Sequence, residues 1–208
     1  MLKLFIRVGA SGFIFMAGCQ QKSSLPYYNS PDFTPVWNID TLKNGLHTIP
    51  PFSFTNPNNE LVTEKTFDNT IYVAGFFFTS CGVVCPKMTM NIKKVQAAFA
   101  GNQQLAFLFH SVTPWIDSSA RLLAFAKKYQ LNNQWQLVTG DQGAIYKMAR
   151  QAYFAEEEPG FQKDTTEFLH TEHLLLIDKQ KHIRGIYNGT LPLDAERLIG
   201  DIRVLLQE

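Results

Sequence analysis

The fold of this 208-residue chain is decided by Thr79-Ser80-Cys81-Gly82-Val83-Val84-Cys85-Pro86-Lys87-Met88. This stretch follows the apolar run 71–78, which is typical of a buried strand, and leads into a segment with helical periodicity. Proline is favoured in the first turn of a helix, and the residue before a proline is disfavoured in the helical conformation. The sequence therefore predicts a strand-to-helix turn that carries two thiols, with Cys85 at the N-cap.

The start of a helix changes the chemistry of these thiols. Unpaired backbone N–H groups and the positive end of the helix dipole favour a thiolate, whereas a free cysteine has a pKa of about 8.5. We therefore expect a soft, partly charged dithiol at Cys81 and Cys85.

Strands and helices alternate around this turn. A second apolar run at 105–109 follows Met88, Ile92, Val95 and Phe99, whose spacings of four, three and four residues are those of an amphipathic helix. The acidic segment 156–167 is expected to be a surface loop. The other expected elements are a hairpin at 52–55 and 61–63, a helix at 122–129, a strand at 135–138, a helix at 145–152, a hairpin at 174–177 and 183–187, and a closing helix after Asp194 as its N-cap.

This order of elements predicts an α/β sandwich with a mixed central sheet. Ligands in such folds collect where the carboxyl ends of strands meet the amino ends of helices. The turn at 81–85 has that position.

Composition excludes some classes of partner. The 19 basic and 18 acidic residues are scattered along the chain, so no basic stripe is predicted and nucleic acid is not an expected partner. The three cysteines are too few for a disulfide framework and fall into one pair and the solitary Cys19.

The N-terminus explains Cys19. The basic residues Lys3 and Arg7 flank a short apolar stretch, 8–18, which is too brief to cross a membrane and is typical of a signal peptide. Its end, 15–19, resembles a bacterial lipobox, which implies a lipid on Cys19, export across the inner membrane and a lipid-anchored, periplasm-facing protein. The alternative is an ordinary signal peptide with a chance cysteine.

Three regions follow from these patterns. We expect a lipoprotein signal peptide at 1–18, a lipid-anchored tether at 19–50 and a folded domain at 51–208. The tether is rich in Ser, Asn and Pro but also carries Tyr27 and Tyr28, so part of it is expected to dock on the domain as an extended segment.

A dithiol at such a turn could serve disulfide exchange, bind a metal or brace the turn as a disulfide. Disulfide exchange more commonly uses two intervening residues, and a disulfide that closes so short a loop removes little chain entropy. Three intervening residues between Cys81 and Cys85 suit a metal ion that also takes a third ligand.

Histidines just before a predicted strand are candidates for that ligand. If the strand extends back to them, His170 and His173 point to opposite faces, so only one is expected to meet the thiols. Two thiolates and one imidazole suit Cu(I). A zinc site with both histidines is the alternative, although their spacing is not that of a zinc finger.

The stretch 77–88 resembles the C-x-x-x-C-P signature of the Sco/SenC family, and similar segments occur in the expected order at 110–114, 139–141, 169–171 and 176–189. The resemblance covers roughly 52–208. It implies a thioredoxin-like three-layer sandwich with an N-terminal extension, and a copper protein that assists assembly of the dinuclear copper centre of cytochrome c oxidase. The copper ligands carried over are Cys81, Cys85 and His170, with His173 as a neighbour.

The chain departs from the family at one place. Many members have an Asp-Pro-acidic-basic-Asp run where this sequence has Thr113-Pro114-Trp115-Ile116-Asp117. Trp115 is expected to pack on its loop, with a partner contact as the alternative. Three histidines are expected to be core residues whose hydrogen bonds are satisfied: His47, His110 and His182. For His110 the alternative is a role as an outer partner of the site's ligands.

Two functions use the same pair of thiols. The first is a membrane-tethered copper chaperone that carries Cu(I), or Cu(II) in a second state, to an oxidase subunit or another copper chaperone. The second is a thiol-disulfide oxidoreductase in which Cys81 and Cys85 form a redox-active pair and reduce cysteines of the oxidase subunit or other exported proteins. A peroxide-reducing enzyme on the same fold is a third, less favoured class.

Overall fold

The computed structural model describes residues 24–42, 45–155 and 171–208. The predictions for the signal peptide, for Cys19, for the acidic segment 156–167 and for His170 lie outside these residues. Within them, no helix is both long enough and apolar enough to cross a membrane.

The elements occur in the order that the sequence predicts. The strands of the described residues are β1 (Tyr27–Tyr28), β2 (Pro35–Val36), β3 (Ser53–Thr55), β4 (Leu61–Thr63), β5 (Ile71–Phe77), β6 (Leu105–Ser111), β7 (Trp135–Val138), β8 (His173–Ile177) and β9 (Ile183–Asn188). The α-helices are α1 (Val84–Ala98), α2 (Ser119–Tyr129), α3 (Gln142–Lys147), which continues into a π-helical turn at Met148–Ala152, and α4 (Pro192–Leu205).

One mixed sheet has the strand order β2-β1-β9-β8-β5-β6-β7, and β3 pairs with β4 in a separate hairpin. Strands β5, β6 and β7 are parallel, whereas β8 is antiparallel to β5 and β9 is antiparallel to β8. The carboxyl ends of β5, β6, β7 and β9 and the amino end of β8 therefore lie at one edge, which we call the thiol edge.

Helices cover both faces of this sheet. Helices α1, α2 and α4 pack on one face around a core that includes Met88, Ile92 and Val95. Helix α3, the π-helical turn and the β3–β4 hairpin pack on the other. The predicted α/β sandwich with a mixed central sheet is confirmed.

Two predicted helix caps are wrong. Helix α1 begins at Val84 with Val83 as its N-cap, so Cys85 lies inside the first turn. Helix α4 begins at Pro192, and the Asp194 carboxylate instead accepts the backbone N–H of Asn188 at 2.7 Å. In both helices the chain turns helical earlier because a proline is tolerated within the first turn, where its missing N–H has no partner to lose.

Arg184 joins the N-terminal segment to the sheet. Its guanidinium donates to the carbonyls of Leu25 at 2.8 Å and Pro26 at 3.1 Å, and it pairs with Asp178 and Glu208. These bonds hold the chain where β1 pairs with β9 at the edge of the sheet.

His110 lies in β6 and has no exposed surface. Neither ring nitrogen makes a well-formed hydrogen bond with any described residue, so the prediction of a satisfied histidine is wrong for His110. The Gly75 carbonyl raises the pKa of His110, but by less than burial lowers it. Burial lowers the pKa of His110 to about 3. Four aromatic rings surround it, with centroids 5.1 to 6.2 Å away: Phe52, Phe54, Phe76 and Tyr153.

We expect His110 to make the protein acid-sensitive. Because its pKa is about 3 in the folded state and about 6.5 in the unfolded chain, only the unfolded state gains a proton between these values, and stability falls as the pH falls. Lowering the pH from 7 to 5 should cost about 2 kcal/mol through this residue. His110→Phe should remove that component of the pH dependence in urea unfolding curves.

The matched control is Phe54→Leu, which alters the same core without removing a titrating group. It should lower stability at both pH values and keep the pH dependence of the wild type. An unchanged pH dependence in His110→Phe would contradict the assignment.

Candidate thiol and metal site

The two thiols lie at the thiol edge, at the turn between β5 and α1. The backbone N–H of Cys81 donates to the Phe78 carbonyl at 3.2 Å, and the backbone N–H of Cys85 donates to the sulfur of Cys81, also at 3.2 Å. Cys81 is partly exposed, Cys85 is buried, and both are free thiols. The Cys81 sulfur thus takes the place of an N-cap side chain by accepting an unpaired N–H of the first helical turn.

The surroundings of the two thiols shift their pKa values in opposite directions. Burial raises the pKa of Cys81, but the hydrogen bonds it accepts from Cys85 and from the amides of Val83 and Val84 outweigh burial and hold the pKa below its ordinary value. Burial raises the pKa of Cys85 to about 12, and negative charge on Cys81 contributes to the rise. Near neutral pH the pair therefore carries one reactive sulfur and one buried protonated thiol.

We expect an alkylating reagent to modify Cys81 first in the reduced protein. The rate of its reaction with iodoacetamide should rise with pH around a midpoint below the ordinary cysteine value, because the thiolate is the nucleophile. Cys85→Ala should move that midpoint upward, since the variant lacks the thiol that donates to Cys81. Peptide mass mapping of the modified protein checks both results, and preferential modification of Cys85 would contradict them.

Asp117 is a buried carboxylate that ties the thiol turn to the end of β6. Its oxygens accept the backbone N–H of Thr79 at 3.0 Å and the hydroxyls of Thr79, Ser111 and Thr113, the last two at 2.6 and 3.0 Å. Thr79 is two residues before Cys81, so Asp117 fixes the start of the turn. Sequence reasoning missed this role, although hydroxyl residues after two neighbouring parallel strands were a usable signal.

Asp117→Ala should destabilise the fold by about 3 kcal/mol, because it leaves several buried donors without an acceptor. The free energy of unfolding in urea measures the loss. Asp141→Ala is the control: this exposed N-cap accepts one N–H, from Ala144 at 2.8 Å, and its loss should cost only about 1 kcal/mol. Equal losses in the two variants would show that the Asp117 network contributes no more than an exposed cap.

Strand β8 brings a third segment to the thiols. Because β8 is antiparallel to β5, its amino end reaches the edge where β5 ends. Thr171, two residues before β8, lines a small cavity together with Val84 and Cys85. In the sequence, His170 is the residue immediately before Thr171.

His173 makes its contacts on the face covered by α3. Its Nδ1 lies 3.2 Å from the Ala155 carbonyl, and its ring meets the ring of Phe33 at a centroid distance of 5.8 Å. Across residues 24–42, 45–155 and 171–208, no three His, Cys, Asp or Glu side chains are grouped so that they could hold a metal ion. The described residues thus bring Cys81 and Cys85 together and leave the third ligand open.

His47, His182 and Trp115 were also candidates from the sequence. Nε2 of His47 lies 2.7 Å from the Ala152 carbonyl, and Nδ1 of His182 lies 3.4 Å from the Asp178 carboxylate, so both are satisfied. Trp115 is 58% exposed, so more than half of its surface faces solvent.

A mixed sheet with a dithiol at the turn between a central strand and its helix defines a thioredoxin-like dithiol protein. Comparison with known protein families narrows this class to one family, because the model described as SCO1/SenC matches residues 40–207. The chain therefore belongs to the SCO1/SenC family. The match begins before residue 52, so it includes part of the N-terminal segment.

Individual relatives agree with this assignment. The chain is 26% identical to the SCO1 protein homolog of Bacillus subtilis (strain 168), over 76% of this chain and 82% of the relative. It is 27% identical to a SCO1/SenC family lipoprotein from Bacillus anthracis str. Ames, covering 80% of this chain and 99% of that structure with a TM-score of 0.67. ScoI of Bradyrhizobium japonicum, solved with copper bound, shares the fold at 23% identity, covering 76% and 99% of the two chains with a TM-score of 0.60.

Proposed function

We propose that this protein is a copper chaperone that carries copper on Cys81, Cys85 and His170 and delivers it to the dinuclear copper centre of cytochrome c oxidase. The observation that carries the proposal is the free thiol pair in the first turn of α1, with Thr171 lining the same cavity as Cys85. Membership of the SCO1/SenC family and the fold shared with copper-bound ScoI support it.

The donors of this site fit copper in its reduced state. Two thiolates and an imidazole form a soft set of low coordination number, which suits Cu(I), with Cu(II) as a second state of the same site. The Cys81 sulfur is prepared for binding because hydrogen bonds already stabilise its thiolate. Cys85 must lose its proton when copper binds, and the charge of the ion offsets the burial that otherwise keeps this thiol neutral.

The N-terminal sequence supports a proposal about the location of the protein. We propose that residues 1–18 are a lipoprotein signal peptide, that lipid on Cys19 and the segment 19–50 tether the domain 51–208 to a bacterial membrane, and that the site faces the periplasm. Support comes from the lipobox-like sequence and from the relative that is itself described as a lipoprotein. Only reduced thiols bind copper, so this location requires the pair to be kept reduced.

Cu(I) titration of reduced residues 20–208 against a competing chelator, under anaerobic conditions, tests the ligand set. We expect one tightly bound copper. His170→Ala should weaken it by more than the roughly 10- to 100-fold that loss of an outer partner typically costs. His173→Ala is the matched control and should change the affinity little, because this histidine contacts Ala155 and Phe33. Equal affinities of the wild type and His170→Ala would remove His170 from the site.

Disulfide exchange is the second candidate, favoured by the unequal thiols. The Cys81 thiolate would attack a target disulfide and release one target thiol, and Cys85 would then displace the second, leaving the target reduced and the pair oxidised. The raised pKa of Cys85 makes this second displacement slow near neutral pH, which favours copper transport. Rapid multiple turnover of metal-free protein with a protein disulfide and a reductant would favour the exchange reaction instead.

A further inference from the structure

Basic residues are concentrated on the two helices that flank the thiol turn. Helices α1 and α2 each contain three basic residues and no acidic residue. The chain as a whole has 19 basic and 18 acidic residues, and α4 carries both signs. The charge on α1 and α2 is therefore a local feature and not a result of overall composition.

Helix stability explains only part of this charge. Lys127 and Lys128 lie in the last turn of α2, where positive charge complements the helix dipole. Lys87 and Arg121 instead lie in the first turns of α1 and α2, where positive charge is unfavourable. Both are exposed, and neither is paired with a carboxylate in the part of the chain that the structure describes.

Both charges belong to helices that adjoin the thiol turn. A shallow cleft of about 250 Å³ separates the turn from α2 and is lined by Thr79, Ser80, Arg121 and Lys128, among others. Lys87 follows Cys85 by two residues on α1 and is exposed. Exposed positive charge is therefore present on both helices that adjoin the thiol turn.

Exposed apolar side chains occupy the same region. Val83, in the turn itself, is 64% exposed, and Met90, three residues after Lys87 on α1, is 55% exposed. Trp115 lies on the loop that Asp117 ties to the turn. We call the surface formed by Val83, Lys87, Met90, Trp115 and Arg121 the docking face. Exposed apolar residues ringed by charge are characteristic of protein interaction sites.

Four acidic side chains near the thiol edge have structural hydrogen bonds within the described residues. Asp117 is buried in its hydroxyl network, Glu172 binds the side-chain amide of Asn188, Asp141 caps α3 and Asp194 binds the amide of Asn188.

We propose that the docking face binds an acidic surface on the protein that exchanges copper with Cys81 and Cys85, an inference that rests on the proposed function. Charge complementarity would speed the encounter, and the apolar residues would exclude water around the thiols. Anionic lipid would also attract this charge, but a membrane on this face would cover the turn and block transfer.

The test measures binding of the copper-binding domain of cytochrome c oxidase from the same organism to the full-length, reduced, metal-free protein in detergent. In Lys87→Glu/Arg121→Glu the association rate at low salt should fall by about tenfold or more, and the wild-type rate should fall with added salt. Glutamate in a first helical turn is favourable, so this variant should fold. Lys65→Glu, an exposed site before the amino end of β5, is the control and should bind like the wild type.

The outcomes separate this inference from the copper function. Salt-dependent binding that is lost in the double variant supports the docking face. Failure of the wild type to bind Cu(I) would refute only the copper proposal and would leave this result standing. Equal association rates of the double variant and Lys65→Glu, or no binding by the wild type, would overturn the docking face. A second experiment measures alkylation of Cys81 in the presence of phosphatidylcholine vesicles that contain phosphatidylglycerol. The docking proposal is overturned if these vesicles slow alkylation in the wild type and not in the double variant, because anionic lipid then occupies this face.

Discussion

Parallel pairing of β5 with β6 is the constraint on which the site depends. Because the two strands run in the same direction, both end at the thiol edge, with Phe77 opposite Ser111. A helix must then cross over the sheet between them, and the first turn of that helix supplies the amides that surround Cys81. Asp117 uses the same geometry, since it can reach both strand ends only where they lie side by side.

Helix geometry makes the two sulfurs unequal although they are four residues apart. Cys81 lies just before the helix and receives N–H groups, whereas Cys85 lies inside the first turn and faces the core beneath α1. One sulfur is therefore partly exposed and has a lowered pKa, and the other is buried and has a raised pKa. If Cys81 and Cys85 hold a soft metal ion, the exposed thiol would be the first of the two to meet a partner, and the buried thiol would be shielded from solvent.

The surroundings of the thiols combine rigidity with access. Below the turn, Asp117 and the aromatic core around His110 support the sheet, and His110 reduces stability in acid because burial disfavours its protonated form. Above the turn, Val83 and Trp115 remain exposed. Apolar surface left in water is unfavourable, and a partner that covers it would be stabilised by its burial.

Local patterns in the sequence determined the order of elements, since a buried strand such as 71–77 and an amphipathic helix such as 84–98 declare themselves through apolar runs and spacing. The turn with two cysteines was readable for the same reason. Tertiary structure alone decided what each side chain meets: the burial of His110 among four rings, the convergence of hydroxyls on Asp117 and the exposure of Trp115. The bond of Asp117 to Thr79 and the packing of Phe52 and Phe76 on His110 join segments that are distant in the chain, so no local periodicity encodes them. The helix caps fall between the two cases, because a proline is compatible with several positions in a first turn and the surrounding hydrogen bonds select one.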